Sequence, residues 1–125
     1  MKKEVEFYRC RHCGNIITFL KASGAPVSCC GEPMKKLEAN TTDASTEKHV
    51  PVVTQVDGKV QVIIGSVLHP MVDEHYIEWI ACVSEEKVEF RYLEPGVQPM
   101  AEFYNITSGT VYEYCNLHGL WKAEF

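Results

Sequence analysis

The chain has 125 residues, 17 acidic and 12 basic, for a formal net charge of −5. That length gives one domain or two small ones, and the acidic balance, with no Lys/Arg run or basic-aromatic stripe, argues against a nucleic-acid partner. No stretch approaches the roughly 20 apolar residues of a membrane span. The first seven residues carry a lysine pair but no apolar signal region, so the expected location is the cytoplasm.

Residues 1–37 read as a unit of their own. Val5 and Phe7 and the run Ile16-Ile17-Thr18-Phe19-Leu20 predict short strands, and Gly14-Asn15, Gly24-Ala25-Pro26 and Gly31-Glu32-Pro33 supply turns. So short a unit buries too little apolar surface to fold unaided and needs a staple. Four of the six cysteines provide one: Cys10 and Cys13 with knuckle spacing, then the adjacent pair Cys29-Cys30. In a chain that is not exported, this favours metal ligation over disulfides. A zinc ribbon would repeat Cys-x2-Cys at the second pair. Adjacent thiolates reach one metal through a distorted tetrahedron, which suits a tuned iron centre better than a passive zinc. His12, inside the knuckle, is expected to face water.

Residues 38–48 contain no large apolar residue and read as a linker. Seven strand candidates follow at Val50–Val56, Lys59–Ile64, Tyr76–Val83, Lys87–Leu93, Glu102–Ile106, Thr110–Cys115 and Leu120–Phe125. Asp57-Gly58 is a hairpin signal, and Glu94-Pro95-Gly96 and Ser108-Gly109 break the later runs. No helical period is evident. The expected fold is all-β, a metal-stapled N-terminal unit followed by an immunoglobulin-like, seven-stranded antiparallel sandwich over residues 38–125.

His49, His69, His75, Cys115 and His118 each lie beside a turn signal in this second part. A single histidine in a loop is usually surface polarity, so the case rests on the set and on the Cys-x2-His spacing of Cys115 and His118. Four neutral imidazoles and a thiolate suit iron or copper as well as zinc. Five ligands exceed the four of a closed structural zinc site and leave an octahedral position for a small molecule. Glu47 and Lys48 directly precede His49, and a cation there would attract an anion. Cys82 reads as a small buried hydrophobe. Trp79 and Trp121 are expected in the core, and Met34, Met71 and Met100 in packing roles.

Taken together, Cys10-x2-Cys13…Cys29-Cys30, Glu47-Lys48-His49-Val50-Pro51, His69-Pro70-Met71, His75-Tyr76-Ile77 and Cys115-Asn116-Leu117-His118-Gly119-Leu120-Trp121 resemble desulfoferrodoxin, the two-iron form of superoxide reductase. The resemblance covers the whole chain. It implies a desulforedoxin-like, rubredoxin-related domain over 1–37 whose four cysteines hold one iron. It also implies a second iron with His49, His69, His75 and His118 as equatorial ligands and Cys115 as the axial thiolate, and it puts Lys48 and Glu47 beside the open sixth position. The implied reaction is one-electron reduction of superoxide to hydrogen peroxide, with re-reduction by an external donor such as rubredoxin, in a homodimer. An electron-transfer iron protein without substrate turnover is the alternative. Under either reading, backbone amides of Leu117 and His118 are placed to hydrogen-bond the Cys115 sulfur and tune its donation.

Overall fold

A computed structural model describes residues 4–125, and these fall into two compact units, Glu4–Glu38 and Ala39–Phe125. The first is built from strands of two or three residues. Strands β1 (Phe7–Arg9), β2 (Ile16–Thr18) and β5 (Lys35–Lys36) form one antiparallel sheet in the order β2-β1-β5. Strands β3 (Ser28–Cys29) and β4 (Glu32–Pro33) form a separate ladder of two pairs. The three smallest strands escape sequence reading, because two residues carry no alternation to detect. Phe7, Met34 and Cys10 are the buried apolar side chains of this unit.

The second unit opens with a difference from expectation. Residues 38–48 are not a free linker: Thr46–His49 forms a single helical turn, α1. Asn40 joins the sheet behind it, its backbone N–H donating to the Leu120 carbonyl and its side chain bridging the Lys122 backbone in both directions. One turn is too short to show a 3.6-residue period, so only the polar composition was visible in sequence.

Seven strands follow as two antiparallel sheets. They are β6 (Pro51–Val56), β7 (Lys59–Ile64), β8 (Ile77–Val83), β9 (Val88–Tyr92), β10 (Met100–Tyr104), β11 (Thr110–Cys115) and β12 (Gly119–Glu124), in the orders β10-β7-β6 and β12-β11-β8-β9. After β9 the chain crosses to lie beside β7, giving the immunoglobulin-like arrangement. Asp57 and Gly58, both at positive φ, close the β6–β7 hairpin as its two-residue turn requires. Strand β7 alternates half-buried and buried positions along its length, the period-2 signature of a one-faced strand.

The core lies between the sheets. Val60, Val62, Ile64, Ala101 and Phe103 come from one, and Ile77, Ile80, Cys82, Val111 and Cys115 from the other. Cys82 is a fully buried hydrophobe, and burial pushes its thiol up to about 11. A register shift between Tyr114 and Cys115 pairs Cys115 with Ile77 in place of Glu78, so an apolar side chain, not a carboxylate, faces the thiol from inside. Glu113 is the exception in this core. It is fully buried, neither carboxylate oxygen has a hydrogen-bond partner among the described residues, and burial raises its pKa well above the carboxylate range.

Phe103 is among the largest fully buried side chains. Phe103→Ala should cost about 3–5 kcal/mol of the second unit's stability, as a cavity of that size does. Chemical denaturation read alongside exposed Thr54→Ala checks this, and equal midpoints for the two variants would contradict the packing described.

Candidate metal centres

In the first unit the loop after β1 and the β3–β4 turn bring Cys10, Cys13, Cys29 and Cys30 together, with all four Sγ atoms within 4.8 Å of one another. Cys13 and Cys29 sulfurs are 3.6 Å apart and Cys29 and Cys30 sulfurs 4.0 Å. A tetrahedron of metal–sulfur bonds of about 2.3 Å has edges of about 3.8 Å, so the cluster has the size of one ion. The adjacent pair reaches a common point because Cys30 takes a left-handed backbone, φ 53°, which undoes the alternation that strand β3 would impose. The backbone N–H groups of Cys13 and His12 point at the Cys10 sulfur and lower its pKa to about 6. Crowding against Cys13 and the other sulfurs pushes Cys30 up to about 12. Four thiolates in so small a space need a cation to neutralise them. His12 faces outward as expected, with Nε2 3.2 Å from Glu32, which also pairs with Arg11.

In the second unit the ligand candidates lie on α1, on the two loop segments between β7 and β8, and on the β11–β12 hairpin. The four imidazoles form a near-square. Successive ring centroids His49–His69, His69–His75, His75–His118 and His118–His49 are 4.7, 4.6, 5.0 and 4.9 Å apart, each pair edge-on, and the His49–His75 diagonal is 6.3 Å. Cys115, fully buried, belongs to the core cluster and reaches the ring from that side. Its sulfur lies within 4.8 Å of donor nitrogens of His49, His69 and His75 and 3.9 Å from His118 Nδ1.

The tautomers follow from the outer hydrogen bonds. His49 Nδ1 lies 2.6 Å from the Ser45 carbonyl and His69 Nδ1 2.7 Å from the Pro70 carbonyl. Carbonyls only accept, so each Nδ1 carries the proton and each Nε2 presents a lone pair. Those two lone pairs face each other at 3.2 Å. His75 Nε2 is buried with no partner among the described residues. Desolvation lowers the pKa of His49, His75 and His69, the last to about 4, so the rings are neutral donors. Opposed lone pairs, an orphaned imidazole nitrogen and an adjacent thiol are what a bound transition metal resolves. The donor set fits iron.

Groups beyond the ligands hold the cage. Trp121 is buried, as expected of a core residue, yet it also touches the site: its ring stacks on His49 at 4.9 Å, and its Nε1–H donates to the His118 carbonyl at 3.1 Å. Nothing in sequence separates such a tryptophan from core, except its place three residues after a candidate ligand. Asn116 donates to the Glu74 carbonyl and accepts from the Tyr76 N–H, bracketing His75. The N–H groups of Leu117 and His118 bond the Cys115 sulfur, as the tight turn predicts, and oppose the upward push of burial on its pKa. Lys48 and Glu47 are exposed on α1. Burial is the main cause of the lowered pKa values of His49 and His75, and the Lys48 charge acts in the same direction on both.

Comparison with known proteins matches residues 41–124 to the desulfoferrodoxin family and residues 2–37 to the desulfoferrodoxin N-terminal domain family. A desulfoferrodoxin of Clostridium acetobutylicum is 48% identical and one of Nitratidesulfovibrio vulgaris 47%, each alignment covering 99% of both chains. The crystal structure of superoxide reductase from Treponema pallidum superposes with a TM-score of 0.78 at 31% identity, covering 97% of this chain and 99% of that one. Two metal cages, an all-β fold and full-length similarity agree, and the chain belongs to the desulfoferrodoxin family.

Proposed function

We propose that the protein is a superoxide reductase: one superoxide, one electron and two protons give one hydrogen peroxide. The observation that carries this reading is the near-square of four imidazoles closed from the core side by the buried Cys115, with Lys48 exposed on the helical turn that carries His49. Cys10, Cys13, Cys29 and Cys30 would hold one iron, and His49, His69, His75, His118 and Cys115 the second. The second iron, when ferrous, supplies the electron.

The protein's own groups do the rest. Lys48 places a positive charge where an anion approaches, and local fields of this kind raise encounter rates despite an acidic whole. The carbonyls of Ser45 and Pro70 keep His49 and His69 in the donor tautomer. Burial pushes the Cys115 thiol up, and the Leu117 and His118 amides that bond its sulfur oppose that push and orient it as a donor. Glu47, on the same helical turn as Lys48, supplies an anionic group able to cover the open position once product has left.

A rubredoxin or similar small redox protein is the proposed electron donor, and a homodimer the proposed assembly; resemblance to the family supports both. No helix among the described residues is long and apolar enough to cross a membrane. A cytoplasmic location is the proposed one, supported by the use of five of the six cysteines as candidate metal ligands in place of disulfides.

Four variants test the assignment. Cys115→Ser should remove the thiolate-to-iron colour of the oxidised second centre and sharply reduce peroxide formation; retained colour and rate would show that the cage is misassigned. Cys13→Ser should abolish or alter the first centre while a pre-reduced second centre still consumes superoxide. Loss of that reaction with the second iron still in place would mean that the centres are not independent. Lys48→Ile should slow the superoxide encounter roughly tenfold to a hundredfold and flatten its dependence on ionic strength. Glu47→Ala should leave the encounter nearly unchanged and alter exogenous-anion affinity of the oxidised form. Pulse radiolysis showing the reverse division between the two variants would sink it.

A further inference from the structure

The segment after β7 makes a set of contacts that none of the roles above uses. Gly65 has φ +86°, and an ideal Cβ built on it would lie 2.3 Å from the Val67 carbonyl oxygen, 2.7 Å from that of Lys48 and 2.9 Å from that of Glu47. Real Cβ atoms do not approach backbone oxygens so closely, and a carbonyl cannot swing aside as a flexible side-chain tip does. Only glycine lets the two strands of backbone meet here. The same stretch then grips the turn from both ends. The Gly65 N–H donates to the Val50 carbonyl at 3.3 Å, and the Glu47 carbonyl accepts from the Val67 N–H at 3.2 Å and from the Ser66 hydroxyl at 3.3 Å.

We propose that Gly65 and Ser66 are positioning residues whose contacts with the Glu47 and Lys48 carbonyls set how those two side chains are presented at the open side of the cage. The inference rests on the reductase reading for its functional meaning, and on backbone geometry alone for its structural part. The ligands themselves are oriented through other atoms: His49 through the Ser45 carbonyl and His69 through the Pro70 carbonyl. Loss of the Ser66 hydroxyl therefore leaves the imidazoles supported and releases one of the two bonds on the Glu47 carbonyl. Because Ser66, Glu47 and Lys48 are all exposed, water competes for that bond, and the hydroxyl acts as an adjustable latch on the charged turn.

The test uses the full-length, iron-loaded chain as wild type, Ser66→Ala, Ser66→Thr and Gly65→Ala. Three quantities are read: iron content, hydrogen exchange of peptides spanning 44–50, and azide affinity of the oxidised second centre by visible absorption. Ser66→Ala should keep both irons. Its 44–50 segment should exchange roughly threefold to tenfold faster, the scale of one lost hydrogen bond. Azide affinity should rise by a similar factor as Glu47 covers the open position less often. Ser66→Thr, which keeps the hydroxyl, should restore both readouts, and Gly65→Ala, where it folds, should exceed Ser66→Ala in both. Wild-type exchange and azide affinity in Ser66→Ala would overturn the proposal. So would loss of the second iron in that variant, since Ser66 would then belong to the support of the cage. Failure of the wild type to consume one reducing equivalent per superoxide would defeat the reductase reading, and the exchange comparison would still decide the positioning role.

Discussion

The metal site of the second unit turns on the approach of His49 Nε2 and His69 Nε2 to 3.2 Å, two lone pairs aimed at each other in a buried site. Without a cation this contact is repulsive. Each ring could relieve it by shifting its proton to Nε2, but that would leave the Ser45 or Pro70 carbonyl without its donor. Protonating a ring is no easier, because desolvation opposes the imidazolium. The fold therefore spends part of its packing energy on holding a conflict that a metal turns into bonding. The loops on this side of the sandwich serve that end. Trp121 presses on His49 and fastens His118, and Asn116 brackets His75.

The two cages reach a metal by opposite routes. In the first, ligands 20 residues apart at most are closed by short strands and a left-handed cysteine, and there is almost no core behind them. Metal and fold are one event in such a unit. In the second, a sandwich with its own apolar interior places donors from distant parts of the chain, so the scaffold and the ion are separable. That difference matches their chemistry. A closed set of four sulfurs suits holding or passing an electron, while a ring braced by a preformed core leaves room for a small anion.

Most of the sandwich was legible because its strands alternate. Lys59–Ile64 and Thr110–Cys115 were bounded as the structure has them, since each runs between clear turn residues. The ends of β10 fell two residues earlier than expected, where Met100 and Ala101 extend the pairing with β7 and no turn residue marks the start. The five-residue set of the second cage was readable from residue type and turn context. Of its bracing, only the Leu117 and His118 amides on the Cys115 sulfur were. A carbonyl that accepts from an imidazole, a tryptophan that stacks on one, and a glycine crowded by three carbonyls are all products of tertiary contact. Residues 38–48 show the same limit, since polar residues gave a linker signature to a segment that is bonded into the sheet edge through Asn40.

The span of each cage along the chain also sets an order in time. The first is complete once Cys30 has been made, whereas the second lacks a ligand until His118, roughly 90 residues later. At ordinary rates of synthesis that interval is on the order of 5 to 20 s. A nascent chain thus has all four thiolates of its first site well before the four-imidazole cage is complete. The two sites therefore differ in when they are complete as well as in what they are made of.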